Sequence, residues 1–333
     1  MLTPLRLLLA SVCSIFLAAA VMADEPAAPI KITQADNHLD VTVGGQPFTS
    51  YWFGKREDRI YVRPFFYPVL AQGGVEVTSD QYALAQKNPK AKIDHPHHQS
   101  LWVSHSDVNG VDHWSLGKDN KGEKSAKQRH IKFDSIGADS FVESLIWDDN
   151  DAKPMLLETR AVKFVVYPDG SRAVDITSTF TPAAGDVTFG DVKDAGFMAV
   201  RMATAISADP TITQSTGKGG EKMAGEKATW GKRADWCDES GNIDGKPFGI
   251  AIFDAPSNPR HPANWHVRAY GLMSSNIFGQ SDFDKSKPKG SGKFLLEKGK
   301  SVTFHHRAVI HTGMAADAKL DEKYKEFARE SQK

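Results

Sequence analysis

Residues 157–180 read LETRAVKFVVYPDGSRAVDITSTF, and the fold class turns on this stretch. The runs 157–167 and 172–180 are rich in β-branched and aromatic residues, and Pro168-Asp169-Gly170-Ser171 between them supplies the residue types of a tight turn. In the second run Val174, Ile176 and Phe180 alternate with polar neighbours, the period of a strand with one buried face. The stretch predicts an antiparallel pair of strands. Outward from it the same period recurs at 30–34, 39–43 and 48–52, with Gly44-Gly45 placed for a hairpin between the last two, and again at 248–254. The runs 294–296 and 301–311 read as a final hairpin around Lys298-Gly299. Two textures differ. Asp317 is placed to cap a C-terminal helix on which Leu320, Tyr324 and Phe327 share a face, and the Gly- and Lys-rich stretches 117–129 and 215–227 read as long loops. Many strands, no βαβ alternation and no internal repeat or linker predict an all-β fold: one large antiparallel β-sandwich over residues 24–333, with long loops and a short C-terminal helix.

The N-terminus carries a different signal. Arg6, an apolar run over 7–21, the small-residue pattern Val21-Met22-Ala23 and the acidic Asp24-Glu25 have the order of a secretory leader, cut after Ala23. The apolar run is about 15 residues, short of the roughly 20 that anchor a helix in a bilayer. The expected location is periplasmic or secreted. Lys plus Arg equal Asp plus Glu at 41 each, so no long-range field draws the chain to nucleic acid or to an anionic membrane. Beyond the leader only Cys237 remains, so it has no disulfide partner and should be a reduced structural residue.

The first stretch with chemistry is DHPHHQSLWVSHSDVNGVDHW, residues 94–114, which holds five of the twelve histidines. Imidazoles titrate near neutrality and suit proton transfer, and their neutral nitrogens also suit Zn or Cu. Pro96 argues for an extended approach or bulge at 95–98, with His95 and His97 to one side and His98 to the other. His95, His97, His98, His105 and Asp107 are the catalytic candidates, with His97 or His98 as the acid/base and His105 and Asp107 orienting it. Trp102 and Asn109 are placed with the substrate. No recognised metal spacing is present: no Glu follows His95-Pro96-His97 at cupin distance and His-Glu-x-x-His is missing, so neither a metal nor another cofactor is assigned.

The second stretch runs from Asp191 to Phe278. It contains Lys193-Asp194, Arg201, the string WGKRADW over 230–236, Asn258, Arg260-His261, and Trp265-His266-Val267-Arg268. Indole faces cover the apolar side of a pyranose while Arg, Asp and Asn take its hydroxyls, so Lys193, Arg201, Arg233, Asp235, Trp236, Asn258, Arg260, His261, His266 and Arg268 are the substrate-binding candidates. The first stretch titrates but has no arginine, and the second has arginines and indoles. Their convergence on one face, with His97 or His98 near Arg233, Trp236 and His266, is the expectation.

These strings, with RPFFYPVLAQGGVEVT ahead of them, resemble the PmoA-like family of exported bacterial proteins over roughly residues 30–313. That name refers to a methane monooxygenase subunit built on spanning helices, which this sequence lacks beyond its leader. LLEKGKSVTFHHRAVIHTG is similar to the last hairpin of galactose-mutarotase-like supersandwich proteins. That resemblance implies a sugar site in which a histidine is the acid at the ring oxygen and a glutamate the base. No glutamate here matches the base, so Asp194, Asp235 or Asp254 would replace it. The expected function is acid/base chemistry of epimerase, lyase or hydrolase type on a small-molecule or oligosaccharide ligand. The alternatives are a carbohydrate-binding protein without catalysis and a Zn or Cu metalloprotein.

Overall fold

Alternating burial runs along strand after strand in the computed structural model, which describes residues 28–332 apart from 57–60, 82, 85–89, 91–92, 117–125 and 216–222. The leader expected over 1–23 lies outside the described residues. One sheet has eight strands, in the order β1 (Ile30–Gln34), β2 (His38–Val43), β3 (Gln46–Trp52), β4 (Phe65–Val69), β5 (Leu101–His105), β11 (Ala195–Arg201), β17 (Leu272–Asn276) and β16 (Asn264–Arg268). The other has nine: β13 (Met223–Ala224), β12 (Thr211–Gln214), β14 (Trp236–Ile243), β15 (Lys246–Asp254), β19 (Val302–Thr312), β9 (Arg172–Pro182), β8 (Pro154–Val166), β7 (Ser140–Asp148) and β6 (Gln128–Ile136). The strand pairs are antiparallel, and the inner faces of the two sheets share one apolar core of a large β-sandwich. Gly44 and Gly45 both have positive φ, as the two central positions of a type I′ hairpin require.

The 294–311 hairpin does not form. β18 (Phe294–Leu296) pairs with β10 (Val187–Phe189), whereas β19 lies between β15 and β9. The reason is burial on both faces: from His306 to His311 every residue of β19 is buried, which only a central position provides. Short or medium helices accompany the sheets, among them α1 (Thr204–Ser207), α2 (Glu226–Thr229), α3 (Gln280–Phe283) and α4 (Leu320–Glu330). The last begins after Lys319 and not at Asp317, whose carboxylate instead accepts the Met314 N–H, and it packs Leu320 and Phe327 on the outer face of the nine-stranded sheet. Within the expected loops, 128–129 already belong to β6, 223–224 form β13, and α2 begins at 226.

One feature of the core is polar. The phase of β8 turns Leu156, Glu158, Arg160, Val162 and Phe164 inward and leaves Leu157 exposed. Arg160 forms a fork with Glu158 at 2.8 and 2.9 Å and donates to the Tyr51 hydroxyl at 3.0 Å, which donates to Glu143 at 2.5 Å. Trp147 and Ser178 also donate to Glu158. Burial pushes the Tyr51 phenol well up, so it stays a donor. Breaking such a network by removing one member leaves a buried charge uncompensated, at a cost of about 3–5 kcal/mol. Arg160→Met is therefore expected to lower the unfolding free energy by about that amount in urea denaturation, while Lys132→Met, on the exposed face of β6, changes it little.

Candidate functional site

The outer face of the eight-stranded sheet, turned away from the shared core, is where the histidine-rich stretch folds back. In register across the sheet lie Trp52, Phe65, Trp102, Ala199, Ser274 and His266, and the row beside it holds Arg201, Leu272 and Arg268. With strands about 4.8 Å apart, Trp102 and His266 stand roughly 14 Å from each other. Residues 95–98 form a turn closed by the His98 N–H to the His95 carbonyl, and not an extended run. The turn stacks His95 on His98 at 4.7 Å with 6° between the planes, and sets His97 edge-on to His98 at 4.6 Å. Below them His98 stacks on Trp102 at 5.5 Å, and Trp102 meets Trp114 at 5.3 Å. Trp102 is buried, so it supports the imidazoles and offers no open ring to a ligand.

Arg63 secures this turn. Its buried guanidinium donates to the carbonyls of His97, His113 and Trp114. Nothing in the string RPFFYP marked it as part of the site, because its partners are main-chain groups tens of residues away. Arg201 holds the other side: Nη1 donates to His98 Nδ1 at 3.1 Å and Nη2 reaches both oxygens of Asp94 at 3.2 Å. Since arginine only donates, His98 Nδ1 is an acceptor and a neutral His98 carries its proton on Nε2. Tyr270 lies under the Arg201 and Arg268 guanidinium groups at 5.0 and 5.6 Å and stacks with His95 at 4.9 Å. Arg268 is 2.9 Å from Glu226.

His266 closes the far end. Its Nδ1 donates to the Lys193 carbonyl at 2.9 Å, which leaves Nε2 as the acceptor, and Asp194 is 3.8 Å away. Lys193 Nζ binds both oxygens of Asp194 at 2.7 and 2.8 Å. Electrostatics set the protonation states. Burial, with the charge of Arg63 and then His95, lowers His97 to about 4 against the opposing pull of Asp194 and Asp112. Burial lowers His98 well below its usual value, and burial also brings His266 to about 4 despite Asp194. Burial would raise the Asp94 carboxyl, but the charge and hydrogen bonds of Arg201 and then His95 bring it lower on balance. At neutral pH His97, His98 and His266 are neutral imidazoles and Asp94 is an ionised carboxylate. His97 is half-buried and makes no side-chain hydrogen bond among the described residues. Among the same residues no three His, Cys, Asp or Glu side chains are grouped as metal ligands.

Several sequence-selected residues lie elsewhere. His105 points into the shared core against Phe189, Phe197 and Phe278, where burial drives it to about 3, and its Nδ1 accepts the Asp107 N–H. Asp107 caps the turn at Gly110, so neither residue orients His97 or His98; Arg201 and Arg63 do. The reason is the strand period: Trp102 faces out, so Leu101, Val103 and His105 face in. Asn109 pins the turn to β10 through Asp186 and Thr188. The string WGKRADW is a crossover. Residues 231–234 run along the free edge of β16 through Gly231, Lys232 and Ala234, and the chain then enters β14 in the opposite sheet. Trp230 stays beside His266, but Trp236 is buried under α4 and donates to Asp321. Arg233 donates to the carbonyls of 260–262 and Arg260 to those of Ile277, Gly292 and Lys293.

Asp235, Asn258 and His261 form a separate buried network around Asp254. Asp254 accepts from Asn258 at 2.7 Å, the Ala263 N–H at 2.8 Å and His261 at 2.8 Å, with Asp235 3.4 Å from the other imidazole nitrogen. Burial would lower His261, but Asp235 and Asp254 outweigh it and hold it at about 9. Burial would likewise raise Asp254, yet His261, His306 and Asn258 bring it to about 2. The linkage signs follow. The His261 contribution is complete below its ordinary 6.5 and fades as pH rises through about 9. The Asp254 contribution is complete above its ordinary 3.8 and fades as pH falls through about 2. Melting temperatures recorded from pH 6.5 to 9 should fall in the wild type and be flatter in His261→Gln.

Comparison with known proteins comes from structures and family models; no curated protein matches the sequence. Among solved structures the chain is similar to an aldose epimerase homologue from C. elegans, at 9% identity and TM-score 0.33, covering 86% of this chain and 99% of that one. A second similarity is to galactose 1-epimerase from Lactobacillus acidophilus NCFM, at 7% identity and TM-score 0.33, covering 86% of this chain and 100% of the other. Residues 38–325 match the model of DUF6807, a family of unknown function, and the chain belongs to that family.

Proposed function

We propose that this is an exported carbohydrate-active protein whose outer-face histidines transfer protons on a sugar or sugar derivative. One observation carries the reading: His97 is half-buried, has no side-chain hydrogen bond among the described residues, and is held neutral beside Asp194 on a face that also offers Lys193, Arg268 and Tyr270. A neutral imidazole is a base, and a base in place ahead of substrate is worth ~10²–10⁴-fold in rate. His98, fixed by Arg201, and His266, fixed by the Lys193 carbonyl, are buried behind the face, so half-buried His97 is the imidazole of the three that a polyol would reach. Of the three aspartates considered as replacements for a glutamate base, Asp194 is the one on this face, while Asp235 and Asp254 are engaged with His261. The chemistry is acid/base chemistry of epimerase, lyase or hydrolase type.

The test is turnover by purified protein against a panel of reducing sugars and oligosaccharides, followed by the interconversion of α and β anomers and by product chromatography. His97→Ala should lower kcat/KM by ~10²–10⁴-fold and leave the melting temperature nearly unchanged. In the wild type kcat/KM should rise with pH through about 4, as His97 loses its proton, and then stay level to neutrality. Sugar binding without turnover, or a rising limb near the ordinary 6.5, would refute the assignment of His97 as the base.

A further inference from the structure

The outer face of β16 continues past the imidazoles. Asn264, His266 and Arg268 alternate onto this one face, so Asn264 lies two residues, or roughly 7 Å, beyond His266. At Asn264 a pocket of about 350 Å³ opens, lined by Arg233, Arg260, Asn264, Gln280, Lys287 and Ser291. Three of its six lining residues are cations and none is an acid. The acids nearby are already engaged. Asp191 accepts the Ser281 and Gly290 N–H groups, Asp282 holds Lys285, Lys289 and the Lys193 N–H, and Asp284 holds Ser286. Arg233 spends Nε and Nη2 on carbonyls and has no hydrogen bond from Nη1 among the described residues. Those same carbonyl bonds fix the guanidinium in place, which spares a ligand the cost of ordering it. Lys287 bonds the Gln280 amide oxygen at 3.0 Å. Between pocket and imidazole stand Trp230 and Phe283, 5.3 Å apart and 6.5 and 6.3 Å from His266.

We infer that this pocket is a subsite for an acidic group, a carboxylate or a sulfate ester, on a sugar bound along β16 beyond His266. Three lining cations and no lining carboxylate favour an oxyanion over a neutral hydroxyl, with Asp191 and Asp284 acting on Arg260 and Lys287 from outside the lining, and a guanidinium matches the geometry of either oxyanion. Trp230 and Phe283, packed edge-on to each other and half-buried, are the aromatic surface on which the apolar face of the linking sugar would lie. The inference rests on the proposed function, since it takes the ligand to be the same saccharide, and it narrows the substrate class to acidic glycans.

The experiment is calorimetric titration with trigalacturonic acid, galactotriose and a sulfated κ-carrageenan disaccharide, on wild type, Lys287→Glu, Arg233→Gln and His97→Ala. Circular dichroism melts confirm that each variant is folded. Trigalacturonic acid should bind about tenfold more tightly than galactotriose at low salt, with the margin shrinking as salt is raised. Lys287→Glu should erase the margin and His97→Ala should preserve it. The carboxylated and sulfated probes, compared with each other, identify which oxyanion is preferred. Equal binding of acidic and neutral saccharides, or a margin that survives both Lys287→Glu and Arg233→Gln, overturns the subsite. If the margin fails while His97→Ala still abolishes turnover, the subsite falls and the imidazole chemistry stands. A Lys287-dependent margin with no turnover of any saccharide leaves the subsite standing without that chemistry, and no binding of any probe removes both.

Discussion

The guanidinium of Arg63 is the constraint on which the site depends. A turn rich in imidazoles cannot be laid on a sheet face without burying some of its own carbonyls, and buried carbonyls need donors. Arg63 supplies them to His97 at one end of the stretch and to His113 and Trp114 at the other. The turn is thereby held over Trp102 while Trp114 closes on the same indole. The same positive charge then acts through space on the ring it positions, and adds to burial in keeping His97 neutral. One side chain thus holds the geometry and reinforces the burial that sets the protonation state.

Pleating sorts the remaining histidines by face, and the face decides the chemistry open to each. On β5 the outward position holds Trp102 and serves the site, while His105, three residues on, lies among phenylalanines in the shared core. On β16 the outward positions hold Asn264, His266 and Arg268, and the inward ones Trp265 and Val267. His261, off the sheet between two aspartates, is held protonated, whereas His97 and His266 are held neutral. Residues of one type in one sequence thus have opposite charge states, because burial governs one set and ion pairing the other.

The proline- and tryptophan-rich loops have two roles that composition cannot separate. Much of their polar chemistry ties backbone to backbone: Arg233 and Arg260 staple carbonyls, and Asn258 bridges Asp254 to the His305 main chain. Their placement still matters for function. By covering the edge of β16 before crossing to the second sheet, residues 231–234 leave Trp230 beside His266 and carry Trp236 to the far side of the molecule. Two indoles six residues apart in the string serve different faces of different sheets.

How much of this could be read in advance follows from the range of each interaction. The sandwich was legible because period-two alternation is local: each strand reports its own buried face, as at Val174, Ile176 and Phe180. The Gly44-Gly45 hairpin and the helical face of Leu320 and Phe327 were legible for the same reason. Pairing was not local, so the short run Phe294–Leu296 was matched to its neighbour in sequence when its hydrogen-bonding partner is Val187–Phe189. In the site, residue types showed that imidazoles, arginines and indoles were at hand. The sequence by itself determined the all-β class and the chemical inventory, since both are carried by residue type and short-range period. Only the tertiary structure decided that Arg63 and Arg201, and not His105 and Asp107, position the imidazoles, because that choice rests on hydrogen bonds spanning from 34 to 107 residues of chain.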